Sequence, residues 1–134
     1  MTKYIVRIHK FLLNRSYILI ITILIFTAIT LVLTLLPVQH ALPSDVLSHD
    51  KLGHMFLFGG WTFLIGYYRY ISKPESTNLI IILLLGIFFG GCIEGLQGIM
   101  PFHRDPSIYD LGADALGGLV ATLALYKIID ILPE

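Results

Sequence analysis

Residues 16–36 run without a single charge and are dominated by Ile, Leu, Val, Phe and Thr, stopping only at Pro37. A bilayer core is about 30 Å thick and takes about 20 apolar residues of helix to cross, so this stretch predicts a membrane span. Lys3, Arg7, Lys10 and Arg15 precede it, as basic residues precede a signal peptide. The apolar run is too long for the core of a secretory signal and no small-residue cleavage pair follows, so a retained anchor is expected.

Three further stretches read as spans: residues 52–71, 78–100 and 108–132. The second carries Trp61 and then Tyr67, Tyr68 and Tyr70, placed like an interfacial belt at its far end. The third opens on Ile and Leu and ends among glycines, with Glu94 and Gln97 close to the end. The fourth has only a short uncharged run between Asp114 and Lys127 and requires Asp114 to face a bundle interior while Lys127 snorkels outward.

Composition agrees with a solvent other than water. Of 134 residues 56% are hydrophobic and 13% charged, against the quarter usual in soluble domains, and nine Lys plus Arg cancel nine Asp plus Glu. A disordered chain, a disulfide scaffold and a basic nucleic-acid binder are excluded, and with Cys92 as the lone cysteine no intrachain disulfide can form. No nucleic acid is expected as a partner. The fold class predicted is all-α: one polytopic domain over 1–134, a bundle of four transmembrane helices.

Lys and Arg distribution sets the orientation. With four spans, Lys3, Arg7, Lys10, Arg15, Arg69, Lys73 and Lys127 share one side and Lys51 and Arg104 the other. The termini are therefore expected in the cytoplasm (N-in, C-in). Acids divide the other way, with Asp45, Asp50, Glu94, Asp105, Asp110 and Asp114 outside or at the outer membrane edge.

Three polar pairs gather at the outer helix ends. Asp50 and His54 are i, i+4 at the start of the second span; Glu94 and Gln97 are i, i+3 at the end of the third; Asp110 and Asp114 are i, i+4 at the start of the fourth. Between the last two lies Pro101-Phe102-His103-Arg104-Asp105-Pro106. Gly86-xxx-Gly90, Gly91-xxx-Gly95 and Ala113-xxx-Gly117 offer small surfaces for close packing of the third and fourth helices, or of a homo-oligomer. The polar pairs would then line a shallow pocket open to the outside.

Asp50-Lys51-Leu52-Gly53-His54, Glu94-Gly95-Leu96-Gln97, and Arg104 with Asp110-Leu111-Gly112-Ala113-Asp114-Ala115-Leu116-Gly117 together resemble the VanZ-like family of small bacterial membrane proteins. The family pattern is D-x3-H opening one helix, E-x2-Q closing the next, and R…D-x3-N-x2-G leading into the following one. The resemblance covers about half the chain, in order. It departs at Asp114, where the pattern has Asn. It implies a multi-pass protein of the bacterial cytoplasmic (inner) membrane, in a family whose namesake is linked to resistance against the glycopeptide teicoplanin.

Two functional classes follow. In the first, Gln97, Arg104 and Asp114 belong to a binding site for a membrane lipid, a lipid-linked cell-wall precursor or a glycopeptide. In the second, the site is enzymatic. His54, oriented by Asp50, serves as general base with Glu94 or Asp110 as general acid, and Arg104 holds a phosphoryl or acyl oxyanion. Each residue also has a plainer role: Asp50 as a helix cap, His54 as an interhelical tie, Arg104 as the ion-pair partner of Glu94 or Asp110. Asp50, His54, Glu94, Asp110 and Asp114 include metal-ligand types, but no H-E-x-x-H or E-x-x-H spacing occurs and Arg104 would repel an ion. No metal and no cofactor is expected.

Overall fold

The structure, a computed structural model, describes residues 2–35, 50–100 and 106–132. Among these the chain is helical throughout, with no strand. A short α1 (Thr2–Leu13) precedes four long helices, α2 (Ser16–Leu35), α3 (Asp50–Ser72), α4 (Leu79–Ile99) and α5 (Ile108–Ile131), and a 3-10 turn at Pro74–Ser76 joins α3 to α4. The long helices begin and end within two residues of the four apolar stretches read from the sequence.

Local chemistry sets these boundaries. Asn78 caps α4 by accepting from the backbone N–H groups of Ile80 and Ile81 at 3.0 and 3.3 Å, and Ser107 caps α5 by accepting from Asp110 N–H. Pro101 follows α4 and Pro74 follows α3, where a continuing helix would lose a donor. Inside α2, the hydroxyls of Thr22, Thr27, Thr30 and Thr34 each donate to the carbonyl four residues back, at 2.7–2.9 Å. A hydroxyl satisfied within its own helix adds no desolvated donor to an apolar surface.

Helices α2, α4 and α5 are long and apolar enough to cross a membrane. Helix α3 has the length but a more polar composition. The reason lies in its neighbours: α3 packs against α2, α4 and α5, and its pairing with α5 is the most extensive in the molecule. A helix sheathed by others need not match lipid, so α3 can carry His54, Thr62, Gly59, Gly66, Tyr67 and Tyr70 on buried faces. Trp61 donates to the Thr27 hydroxyl at 3.0 Å and stacks on Phe89 at 4.5 Å, tying α3 to α2 and α4.

The glycines pack differently from expectation. A Cβ on Gly59 would meet the Gly117 carbonyl oxygen at 2.8 Å, and one on Gly117 would run into the Met55 carbonyl, so Gly117 lies against α3 rather than α4. Gly86 faces Thr62 of α3 and Gly90 faces Asp114 of α5. Among the described residues, a Cβ on Gly91 or Gly95 would meet nothing within 4 Å. Cys92, beside Gly91, is exposed rather than packed.

At the opposite end of the bundle α1 folds back across the chain. His9 is buried among Tyr67 and Tyr70, with ring centroids 6.2 and 5.8 Å away, and its Nδ1 lies 3.2 Å from the Tyr67 hydroxyl. Tyr67 and Tyr70 are therefore core residues in a cluster with Leu19, Ile71, Leu125 and Leu132, not an outward belt. The apolar residues Ile5, Val6 and Leu12 of α1 complete that cluster. A cavity of about 970 Å³ opens beside it, lined by His9, Lys10, Tyr70, Lys73 and Asp130 among others.

Candidate functional site

The three sequence elements converge at the end of the bundle where α3 and α5 start and α4 stops. His54, Glu94, Asp110 and Asp114 are 2%, 6%, 7% and 1% exposed, so the cluster is enclosed between helices rather than lining an open pocket. His54 Nδ1 lies 3.0 Å from Asp114 Oδ1 and 4.0 Å from Glu94 Oε1. The imidazole also stacks on Phe58, one turn along α3, at 5.7 Å. The hydrogen-bonded carboxylate of His54 thus comes from α5, sixty residues away, while Asp50 approaches the same imidazole from its own helix: ligand atoms of Asp50, His54 and Asp110 lie within 4.8 Å of one another.

Glu94 is held by its other oxygen. Ser107 donates its backbone N–H to Glu94 Oε2 at 2.7 Å, so the residue capping α5 is itself anchored by the last turns of α4. The sequence carries part of this signal, since Ser107-Ile108-Tyr109-Asp110 has the S-x-x-D form of a helix start. The expected partner of Glu94, Arg104, lies outside the described residues, as do His40, His49 and His103. Gln97 is spent elsewhere: its amide donates to the Thr34 carbonyl of α2 at 2.9 Å, closing α2 against α4 at the rim of the cluster.

Among the described residues, three carboxyl oxygens in this cluster have no hydrogen-bond partner: Glu94 Oε1, Asp110 Oδ1 and Asp114 Oδ2. Asp114 Oδ2 rests over Gly90, where an added Cβ would approach it to 2.6 Å. Asp110 Oδ1 has Lys51 Nζ at 3.9 Å, on a side chain that is mostly exposed. Among the described residues the neighbouring positive groups are that lysine and, when protonated, His54. Chemically the arrangement is a bank of hydrogen-bond acceptors with one imidazole that takes or gives a proton.

Comparison with protein-family models, with curated proteins and with solved structures returned no match for this chain.

Proposed function

We propose that the chain is a VanZ-like protein of the bacterial cytoplasmic membrane, crossing it four times with both termini inside. Its cluster of His54, Glu94, Asp110 and Asp114, enclosed where α3 and α5 start and α4 stops, engages the head group of an envelope lipid, lipid-linked cell-wall precursor or glycopeptide when those helix ends part. The observation that carries the reading is the set of enclosed carboxyl oxygens that accept no hydrogen bond among the described residues. A polar cluster that only locked helices together would have its acceptors satisfied, because each orphaned buried group destabilises the fold. Unused acceptors suit a ligand that brings donors, such as sugar hydroxyls, amide N–H groups or an ammonium.

The sheathing of α3 by three other helices supports the fourth span. Helix α1 supports the orientation: Tyr4, Ile8 and Phe11 form an exposed apolar stripe beside Lys3, Arg7 and Lys10, a pattern suited to an anionic inner leaflet. Reporter fusions within residues 69–78 and after residue 134 should read cytoplasmic, and one within 101–106 external; the reverse pattern removes the topology. For the ligand, the protein purified in detergent is titrated with lipid-linked cell-wall precursor, anionic and zwitterionic lipids, and teicoplanin. Binding that Glu94→Gln weakens tenfold or more is expected, and no affinity for any of these ends the proposal.

The 3.0 Å contact between His54 and Asp114 favours a second reading, a membrane-embedded enzyme in which Asp114 orients His54 as general base. Turnover of a lipid-linked or phosphorylated substrate that His54→Ala abolishes, with folding unchanged, would move the assignment to that class.

A further inference from the structure

We infer that His54, Glu94 and Asp114 form a binding site for one divalent first-row transition ion, Mn²⁺ or Zn²⁺, held between α3, α4 and α5. The inference rests on the cluster's geometry and does not depend on the head-group reading. One ligand atom from each residue lies within 4.8 Å of the others. Two ligands that each sit about 2.1 Å from a shared ion are at most about 4.2 Å apart, and the imidazole nitrogen stands 3.0 and 4.0 Å from the two carboxylates. The three groups therefore close on an ion with small adjustments.

A second observation points into the same space. Glu94 Oε1 is enclosed, has no hydrogen-bond partner and faces His54, while Oε2 is fixed by the Ser107 N–H. A carboxylate anchored by one oxygen and idle at the other is arranged as a ligand oriented from outside the coordination shell. Asp114 presents Oδ1 to His54, while its Oδ2, which accepts no hydrogen bond among the described residues, rests over Gly90. The nearby acids Asp50 and Asp110, with atoms within 4.8 Å of the same imidazole, add negative potential that a dication relieves.

The donor set selects the ion class. One imidazole nitrogen with two carboxylate oxygens suits Zn²⁺ or Mn²⁺, whereas Ca²⁺ and Mg²⁺ favour oxygen-only shells. On binding, the proton shared by His54 Nδ1 and Asp114 Oδ1 leaves to solvent and the nitrogen lone pair takes the metal, so uptake releases protons.

The test uses the full chain in detergent, stripped with chelator, with no lipid precursor or glycopeptide present. Equilibrium titration with Mn²⁺ and with Zn²⁺ should show one ion per chain, a raised melting temperature, and at least tenfold weaker binding in Glu94→Gln and in Asp114→Asn. Asp130→Asn, at the other end of the bundle, should bind as the parent does. Pulsed paramagnetic resonance of bound Mn²⁺ should show coupling to an imidazole nitrogen, a signature measured on the parent alone and so independent of how the variants fold. Failure of the stripped parent to bind either ion stoichiometrically, absence of nitrogen coupling, or equal binding by both folded variants each overturns the site. A head-group titration repeated in chelator keeps the two proposals separate, since loss of one leaves the other measurable.

Discussion

His9 and His54 are both enclosed, at 4% and 2% exposure, yet they sit at opposite ends of the bundle among opposite chemistry. His9 lies among tyrosine rings and meets one hydroxyl; His54 lies among carboxyl groups and meets a carboxyl oxygen at 3.0 Å. The helix contacts differ to match. Near His54, Gly59 and Gly117 bring the α3 and α5 backbones together; near His9, Tyr67, Tyr70 and Leu125 fill the space with side chains. Burial of a histidine alone therefore says little about its role. What surrounds the ring decides whether it packs or holds a proton or ion.

The comparison breaks most sharply on His54. Replacing His54 with Leu leaves the enclosed acids facing a hydrocarbon, and loss of one partner from a buried pair destabilises by roughly 3–5 kcal/mol. A large fall in melting temperature in detergent is expected, and the double variant His54→Leu with Asp114→Leu should recover part of it. If the double change costs the sum of the two single changes, the pair is not coupled and the two histidines are equivalent after all.

Much of the fold was legible in advance because lipid is a demanding solvent: uncharged runs near the bilayer width, bounded by Pro37, Pro74, Pro101 and Pro106, leave few places for helices to start or stop. That His54, Glu94, Asp110 and Asp114 come together was legible too, since ionisable groups at helix ends of a bundle turn inward. The wiring of the cluster was not. Spacing along one helix pairs His54 with Asp50, but the rotation of α5 that brings Asp114 to the imidazole follows from the Gly59–Gly117 contact, which no single-helix pattern reveals. Gln97 shows the same limit, because its partner is a backbone carbonyl of Thr34 and carries no side-chain signature. Helix α1 was hidden for another reason: its basic residues announce orientation so strongly that the 3.6-residue spacing of Ile5, His9 and Leu12 is easily passed over.

Close backbone packing at the His54 end gives the next largest effect. Gly117→Ala forces a methyl against the Met55 carbonyl, and overpacking of this kind costs about 1–3 kcal/mol. Gly91→Ala and Gly95→Ala meet open space and gain helix propensity, so they should change stability by less than about 1 kcal/mol, in the stabilising direction. Melting temperatures of the three variants in one detergent check this. A destabilising Gly91→Ala would instead indicate that the open face is covered by another copy of the chain.

The smallest effect belongs to His9 and carries a sign. Helix α1 lies before the first span, and enclosure of His9 lowers its pKa from the ordinary 6.5 by desolvating the charged ring. Above pH 6.5 the ring is neutral whether α1 is docked or released, and the Tyr67 contact is fully available. As pH falls below 6.5 the released ring takes a proton and the docked one does not, so docking weakens until pH drops beneath the lowered value, where the trend levels off. The amide protection of α1, that is, exchange corrected for its intrinsic pH dependence, should accordingly fall as pH drops below 6.5. Tyr67→Phe removes one hydrogen bond, worth about 1 kcal/mol, and should quicken α1 exchange at every pH. His9→Phe keeps the ring packing without a titrating nitrogen, and α1 in that variant should lose the excess pH dependence altogether; if the dependence persists, the group responsible is not His9 and the tyrosine-lined end is not the passive counterpart of the His54 cluster.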